Sequence, residues 1–93
     1  MQQPAQTIWK FPLDTHTTEQ RYQWPYLVSI LGIQVQDGVP VLWALVYLGT
    51  APRLYKVMRF LTGESVYGVR AHLGTVQLPD GDVLHYFSGG PGL

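Results

Sequence analysis

Residues Leu31–Leu48 read LGIQVQDGVPVLWALVYL, and the fold turns on this stretch. Leu31–Gln36 alternates apolar and polar, as a strand with one buried face does. Asp37-Gly38 follows, a pair that tolerates the positive φ angles of a tight hairpin turn. Val39–Leu48 is then rich in β-branched and aromatic residues. Ile33 and Val35 share one face of the first strand. On the second, Val41, Trp43, Leu45 and Tyr47 form one apolar face, and Leu42, Ala44, Val46 and Leu48 form another. A strand apolar on both faces is expected to be covered on both, at the centre of a sandwich or closed barrel or in an oligomer interface.

A second hairpin is expected where His72–Leu78 and Val83–Phe87 flank Pro79-Asp80-Gly81-Asp82, whose residues all favour turns. Ile8–Leu13 (IWKFPL) reads as a further strand, its end confined by Pro12 to a sheet edge or strand terminus. Asp14–Gln20 reads as a polar connector, Arg21–Trp24 as a short edge strand stopped by Pro25, and Thr62–Val69 as a loop. Met1–Thr7 and Ser88–Leu93 read as flexible ends. Arg53–Leu61 (RLYKVMRFL) fits either a strand or a short helix; its β-forming neighbours favour the strand. The expected fold is a single, mostly β domain: a small antiparallel β-sandwich or barrel-like domain with two hairpins.

Composition narrows function. The 93 residues are 46% hydrophobic and 13% aromatic, but only 13% charged, about half the usual charged share. So few charges leave some surface apolar, which favours self-association or an adhesive binding face. The net charge is zero, so no global field attracts nucleic acid or an anionic membrane. The chain has no cysteine, which removes thiol nucleophiles and cysteine-ligated metals. The N-terminal stretch lacks a signal-peptide pattern, and Val39–Leu48 is half the length of a membrane span. A soluble, intracellular protein is expected.

No catalytic constellation emerges, and no enzyme activity is expected. His72 and His85 lie on the two arms of one hairpin, but Asp80 and Asp82 are too far along it to complete a metal site. Ser29, Ser65 and Ser88 lie in no nucleophile elbow. Gly89-Gly90-Pro91-Gly92 has no following helix to make a phosphate loop. Arg53, Lys56 and Arg59, interleaved with Tyr55 and Phe60, hold half the cations of the chain in seven residues. Such a run suits phosphates and stacked bases; alternatively, its cations guard a solvated edge strand. Trp43, in the most apolar strand, reads as core or as an aromatic pocket wall, and Trp9 as core or interface.

Three blocks occur together: IWKFPL at Ile8–Leu13, VQDGVPVLWALV at Val35–Val46, and HLGTVQL at His72–Leu78 with LHYF at Leu84–Phe87. In these the chain resembles a family of small uncharacterised bacteriophage and prophage proteins. Members carry a Gly-Thr-Gly-His-Pro-like loop where this chain has Leu61-Thr62-Gly63-Glu64-Ser65. The resemblance implies a phage accessory protein acting in the host bacterial cytoplasm, of a kind that often counters host defence. Two modes are then expected. One is a homo-oligomer that sequesters a small nucleotide-type messenger, with Trp43, Tyr55, His85 and Tyr86 as pocket residues and Arg53 and Arg59 on its phosphates. The other is an inhibitor that docks on a host defence protein. A phage structural component is a third possibility. No cofactor or metal is expected.

Overall fold

A computed structural model describes residues 5–89, which form seven strands and no helix. Strand β1 spans Gln6–Pro12, β2 Glu19–Trp24, β3 Tyr26–Gln36, β4 Val39–Tyr47, β5 Arg53–Leu61, β6 Val69–Gln77 and β7 Val83–Gly89. They make two antiparallel sheets, one ordered β1-β4-β3 and the other β2-β5-β7-β6. The protein is therefore a small antiparallel β-sandwich. It extends 51 × 30 × 16 Å with a radius of gyration of 13.9 Å, flatter than the roughly 12 Å of a round domain this size.

Both expected hairpins form. Asp37 and Gly38 have φ of 51° and 79°, the pair of positive angles that fits the twist of the flanking strands. Gly81 supplies the positive φ of the β6–β7 turn, which Leu78 and Asp82 close with a 2.8 Å backbone hydrogen bond. Pro12 ends β1 on a sheet edge. Strand β2 begins at Glu19, two residues inside the expected connector. It runs through the single residue Pro25 into β3, and so changes sheets. Of the expected flexible ends, Gln6, Thr7, Ser88 and Gly89 are strand residues; residues 1–4 and 90–93 lie outside the described set.

The core lies between the sheets. It contains Leu42, Ala44 and Val46 from β4, Tyr55 and Val57 from β5, Leu84 and Tyr86 from β7, and Phe11, Leu13 and Trp24. Two expectations about burial need correction. Arg53–Leu61 is a strand, but β5 is interior, flanked by β2 and β7, and is no solvated edge. It is also the strand covered on both faces. Tyr55 and Val57 point into the sandwich, whereas Met58 and Phe60 are buried on the outer side, where Tyr67 packs edge-on to Phe60. The 62–68 loop supplies that cover.

Strand β4 has cover on one side only. Leu42, Ala44 and Val46 are fully buried, but on the opposite face Trp43, Leu45 and Tyr47 stay partly exposed, and Val41 alone is buried. The alternation told the two faces apart; it carried no information about which one a second sheet would cover.

The two sheets meet unevenly along β3 and β6, neighbouring edge strands with no ladder between them. At one point Ile33 packs on Gly74. Beyond it both strands carry register shifts, at Leu27/Ser29 and Ile30/Gly32 in β3 and at Val69/His72 and His72/Gly74 in β6. Bulges bend and twist an edge strand away from its neighbour. The sandwich is closed at Ile33–Gly74 and open beyond it.

Candidate functional site

The outward face of the three-stranded sheet exposes several large apolar side chains. Residues directly opposite in a ladder point the same way. The register therefore sets Ile8 beside Leu45 and Lys10 beside Trp43 on one flank of β4, with Gly32 against Trp43 and Tyr26 against Tyr47 on the other. Ile8 is 57% exposed and Leu31 54%, and Trp43, Leu45 and Tyr47 are half-buried between them. A hollow of about 320 Å³ opens here, bounded by Ile8, Leu31, Gly32, Gln34 and Trp43. Gly32 has φ of +146° and nothing within 4 Å of where a Cβ would stand. Glycine thus both permits the bulge and leaves space above the sheet.

Trp43 supplies the chemistry of this hollow. Its Nε1–H is buried and has no hydrogen-bond partner, the one such side-chain atom among the described residues. A buried donor left unpaired costs about 1–3 kcal/mol, a cost that an acceptor reaching it would offset. The Lys10 ammonium lies 5.9 Å from the Trp43 ring centroid and is bonded to the Gln36 side-chain oxygen. The site therefore combines a flat π surface, an unpaired donor and a cation. Lys10, Leu31 and Gly32 were not singled out from the sequence. The sequence signal was the glycine interrupting an apolar strand, which marks a bulge.

The six residues expected to bind ligand are dispersed. Arg53 is exposed and lies over the Tyr26 ring at 4.3 Å. Tyr26 pairs with Tyr47, so this cation stands at the far end of the face, roughly 13 Å along β4 from Trp43. Arg59 and Tyr86 point inward. Arg59 is 7% exposed; its guanidinium donates to the carbonyls of Thr17 and His16 at 3.3 and 3.4 Å. Tyr86 is fully buried, and its hydroxyl donates to the Asp14 carbonyl at 2.8 Å. Burial pushes the Tyr86 hydroxyl well above the ordinary phenol value. Tyr55 also belongs to the core, where its hydroxyl oxygen accepts the Leu27 N–H at 2.9 Å. Neither Arg59 nor Tyr86 can line an outward pocket.

Together, Arg59, Tyr86, Gln20 and Tyr22 clamp the 14–18 loop. Gln20 Nε2 donates to the carbonyls of Asp14 and Thr17, and the Tyr22 hydroxyl accepts the Asp14 N–H. The Asp14 carboxylate accepts the His16 N–H at 2.6 Å and the Thr17 hydroxyl at 2.9 Å. These bonds, the His16 amide first, hold its carboxyl below the usual range. Three of the five members of the cation–aromatic run, Tyr55, Arg59 and Phe60, are thus buried in the structure.

One short sequence of side-chain bonds links the histidines of the second hairpin. His85 pairs with Thr75 and His72 with Phe87, so the imidazoles do not face each other directly. Thr75 Oγ1 bridges them, 2.9 Å from His72 Nε2 and 3.0 Å from His85 Nδ1, and Thr62 Oγ1 lies 2.8 Å from His85 Nε2. Both ring nitrogens of His85 are engaged. Among the described residues no three His, Cys, Asp or Glu side chains cluster as metal ligands.

A model described as "Domain of unknown function (DUF7352)" matches residues 4–91. The chain belongs to the DUF7352 family. In this DUF7352 domain the match takes in all seven strands, and with them the outward face of β4. No curated protein and no solved structure matches the chain. Among the described residues of the domain no helix is long and apolar enough to cross a membrane.

Proposed function

We propose that this protein is a non-catalytic binding protein that assembles as a homo-oligomer through the outward face of β4 and holds a small nucleotide-type ligand there. Trp43, half-buried, lining a hollow of mixed polar and apolar surface and carrying an unpartnered Nε1–H, carries the reading. A nucleobase offers what the hollow lacks: a flat ring to lie on the indole and a carbonyl or ring nitrogen to accept its proton. Lys10, beside Trp43, and Arg53, exposed at the end of the face, supply cations for phosphate. A second subunit would cover Ile8, Leu31, Leu45 and Tyr47 and close the hollow into a pocket. The resemblance to phage and prophage proteins sets the context: in a bacterial host cytoplasm such a protein would sequester a defence messenger.

A second reading uses the same face for a host defence protein in place of another copy. The exposed edge of β3, with Val28, Ile30 and Leu31 uncovered, favours it, because an apolar edge strand accepts another chain readily.

Native mass spectrometry and calorimetry separate the two. The first reading expects a closed oligomer that releases heat with a cyclic dinucleotide or an ADP-ribose-type messenger, and Trp43→Ala abolishes both. A monomer silent toward every such nucleotide rejects it. Recovery of one stoichiometric host protein, lost in Trp43→Ala, would support the second.

A further inference from the structure

We infer that the open end of the sandwich, between β3 and β6, is a separate binding site for a neutral, planar, bicyclic aromatic molecule carrying a hydrogen-bond acceptor. The cleft has a volume of about 320 Å³ and reaches the core, with Leu42 and Val57 among its lining residues. Trp24 and Tyr55 also line it, their rings stacked with centroids 5.8 Å apart. Leu27 and Leu73, both half-buried, line it from the two edge strands.

Size and chemistry select the ligand. An apolar protein cavity of about 150 Å³ accepts benzene, so roughly twice that volume suits two fused rings. Trp24 and Tyr55, both from the four-stranded sheet, present aromatic surface along one side of the cleft, which favours a flat molecule. Among the described residues no charged side chain lines the cleft, so an ion would lose its hydration without compensation.

Two hydroxyls then set the polar requirement. Ser88 Oγ, 7% exposed, accepts the Ala71 N–H at 3.0 Å, and the Tyr55 hydroxyl oxygen accepts the Leu27 N–H at 2.9 Å. Each hydroxyl keeps its own proton to donate. A carbonyl, ring oxygen or ring nitrogen on the ligand answers that pair. The backbone donors to these hydroxyls come from Leu27 and Ala71, on the two strands whose bulges hold the cleft open. Bulges in both edges at one place are what a mouth requires, whereas a ladder between β3 and β6 would have closed it.

Amide chemical-shift titration of the whole protein tests this with coumarin, naphthalene and 2-naphthoate. Coumarin is expected to shift the Leu27, Ala71 and Ser88 amides. Naphthalene, lacking the acceptor, is expected to bind about 2- to 10-fold more weakly, and the anion at least about tenfold more weakly. Ser88→Ala should reduce coumarin affinity toward that of naphthalene, and Leu73→Trp at the half-buried rim should occlude the cleft. Trp43→Ala should leave coumarin binding unchanged, which keeps this site distinct from the face of β4. The inference is overturned if no probe moves the cleft amides, if 2-naphthoate binds as well as coumarin, or if neither cleft variant alters binding. Cleft shifts that depend on protein concentration without a probe would also overturn it, by showing that a strand of a second copy occupies the space.

Discussion

Gly74 of β6 lies so close to Ile33 of β3 that a Cβ on residue 74 would stand 3.0 Å from the Ile33 Cβ. The contact joins two edge strands that share no ladder, and it is where the sheets come together on that side of the sandwich. Gly74→Val is expected to cost about 1–3 kcal/mol, the usual penalty of overpacking. Urea denaturation measures the loss. A variant as stable as the parent would show that the sheets do not meet there.

The two faces of β4 should respond differently to truncation. Leu42→Ala removes a fully buried side chain and is expected to lower stability by about 2–5 kcal/mol. Trp43→Ala, on the half-open face, should cost less and should release a previously unsatisfied donor. Its main effect is expected on self-association, followed by sedimentation velocity. Equal stability losses with no change in association would place Trp43 in the core.

The turn between β3 and β4 depends on backbone shape. Gly38 has φ of 79°, and a Cβ in the left-handed region costs about 1–2 kcal/mol. Gly38→Ala should lower the unfolding free energy by that amount. Asp37→Asn should be neutral or slightly favourable, since asparagine also accepts positive φ. Thermal melts of both variants check this pairing.

Acid should loosen the 14–18 loop. The Asp14 carboxyl is held below its ordinary value, chiefly by the His16 amide and then by the Thr17 hydroxyl. Its folded-state pKa is depressed, so the stabilisation is complete above the unfolded value of about 4 and disappears as pH falls through the folded value. Melting temperature followed from pH 6 to pH 2 should fall less steeply in Asp14→Asn. Parallel curves would remove Asp14 as the group responsible.

Alkali acts through two phenols. Burial raises Tyr22 and Tyr86 above the ordinary tyrosine value of 10. The unfolded chain ionises first, so stability should fall as pH rises above about 10. Tyr86→Phe should weaken that alkaline decline, while costing about 0.5–1.5 kcal/mol at neutral pH for the lost bond to Asp14. Tyrosinate absorbance alongside circular dichroism reads both effects.

The sequence by itself determined the local elements. Alternation located Leu31–Gln36 and β-rich composition the strand that follows it, Asp37-Gly38 and Pro79-Asp80-Gly81-Asp82 marked the two hairpin turns, and Pro12 the end of an edge strand; Tyr26–Ile30 and Val69–Ala71, the first parts of β3 and β6, were not read as strand. Each of these signals depends on neighbours a few residues apart, where backbone sterics and side-chain periodicity act. Only the tertiary structure decided which strands share a sheet and what covers them. Nothing near Pro25 announces that β2 and β3 belong to different sheets. The cations of Arg53–Leu61 do not reveal that the strand is interior, with Arg59 directed to loop carbonyls some forty residues earlier in the chain. The same limit governs the candidate sites. Trp43 was legible as an aromatic of interest, but its outward direction, its unpaired donor and the cleft between β3 and β6 arise from contacts between distant segments, which local periodicity does not encode.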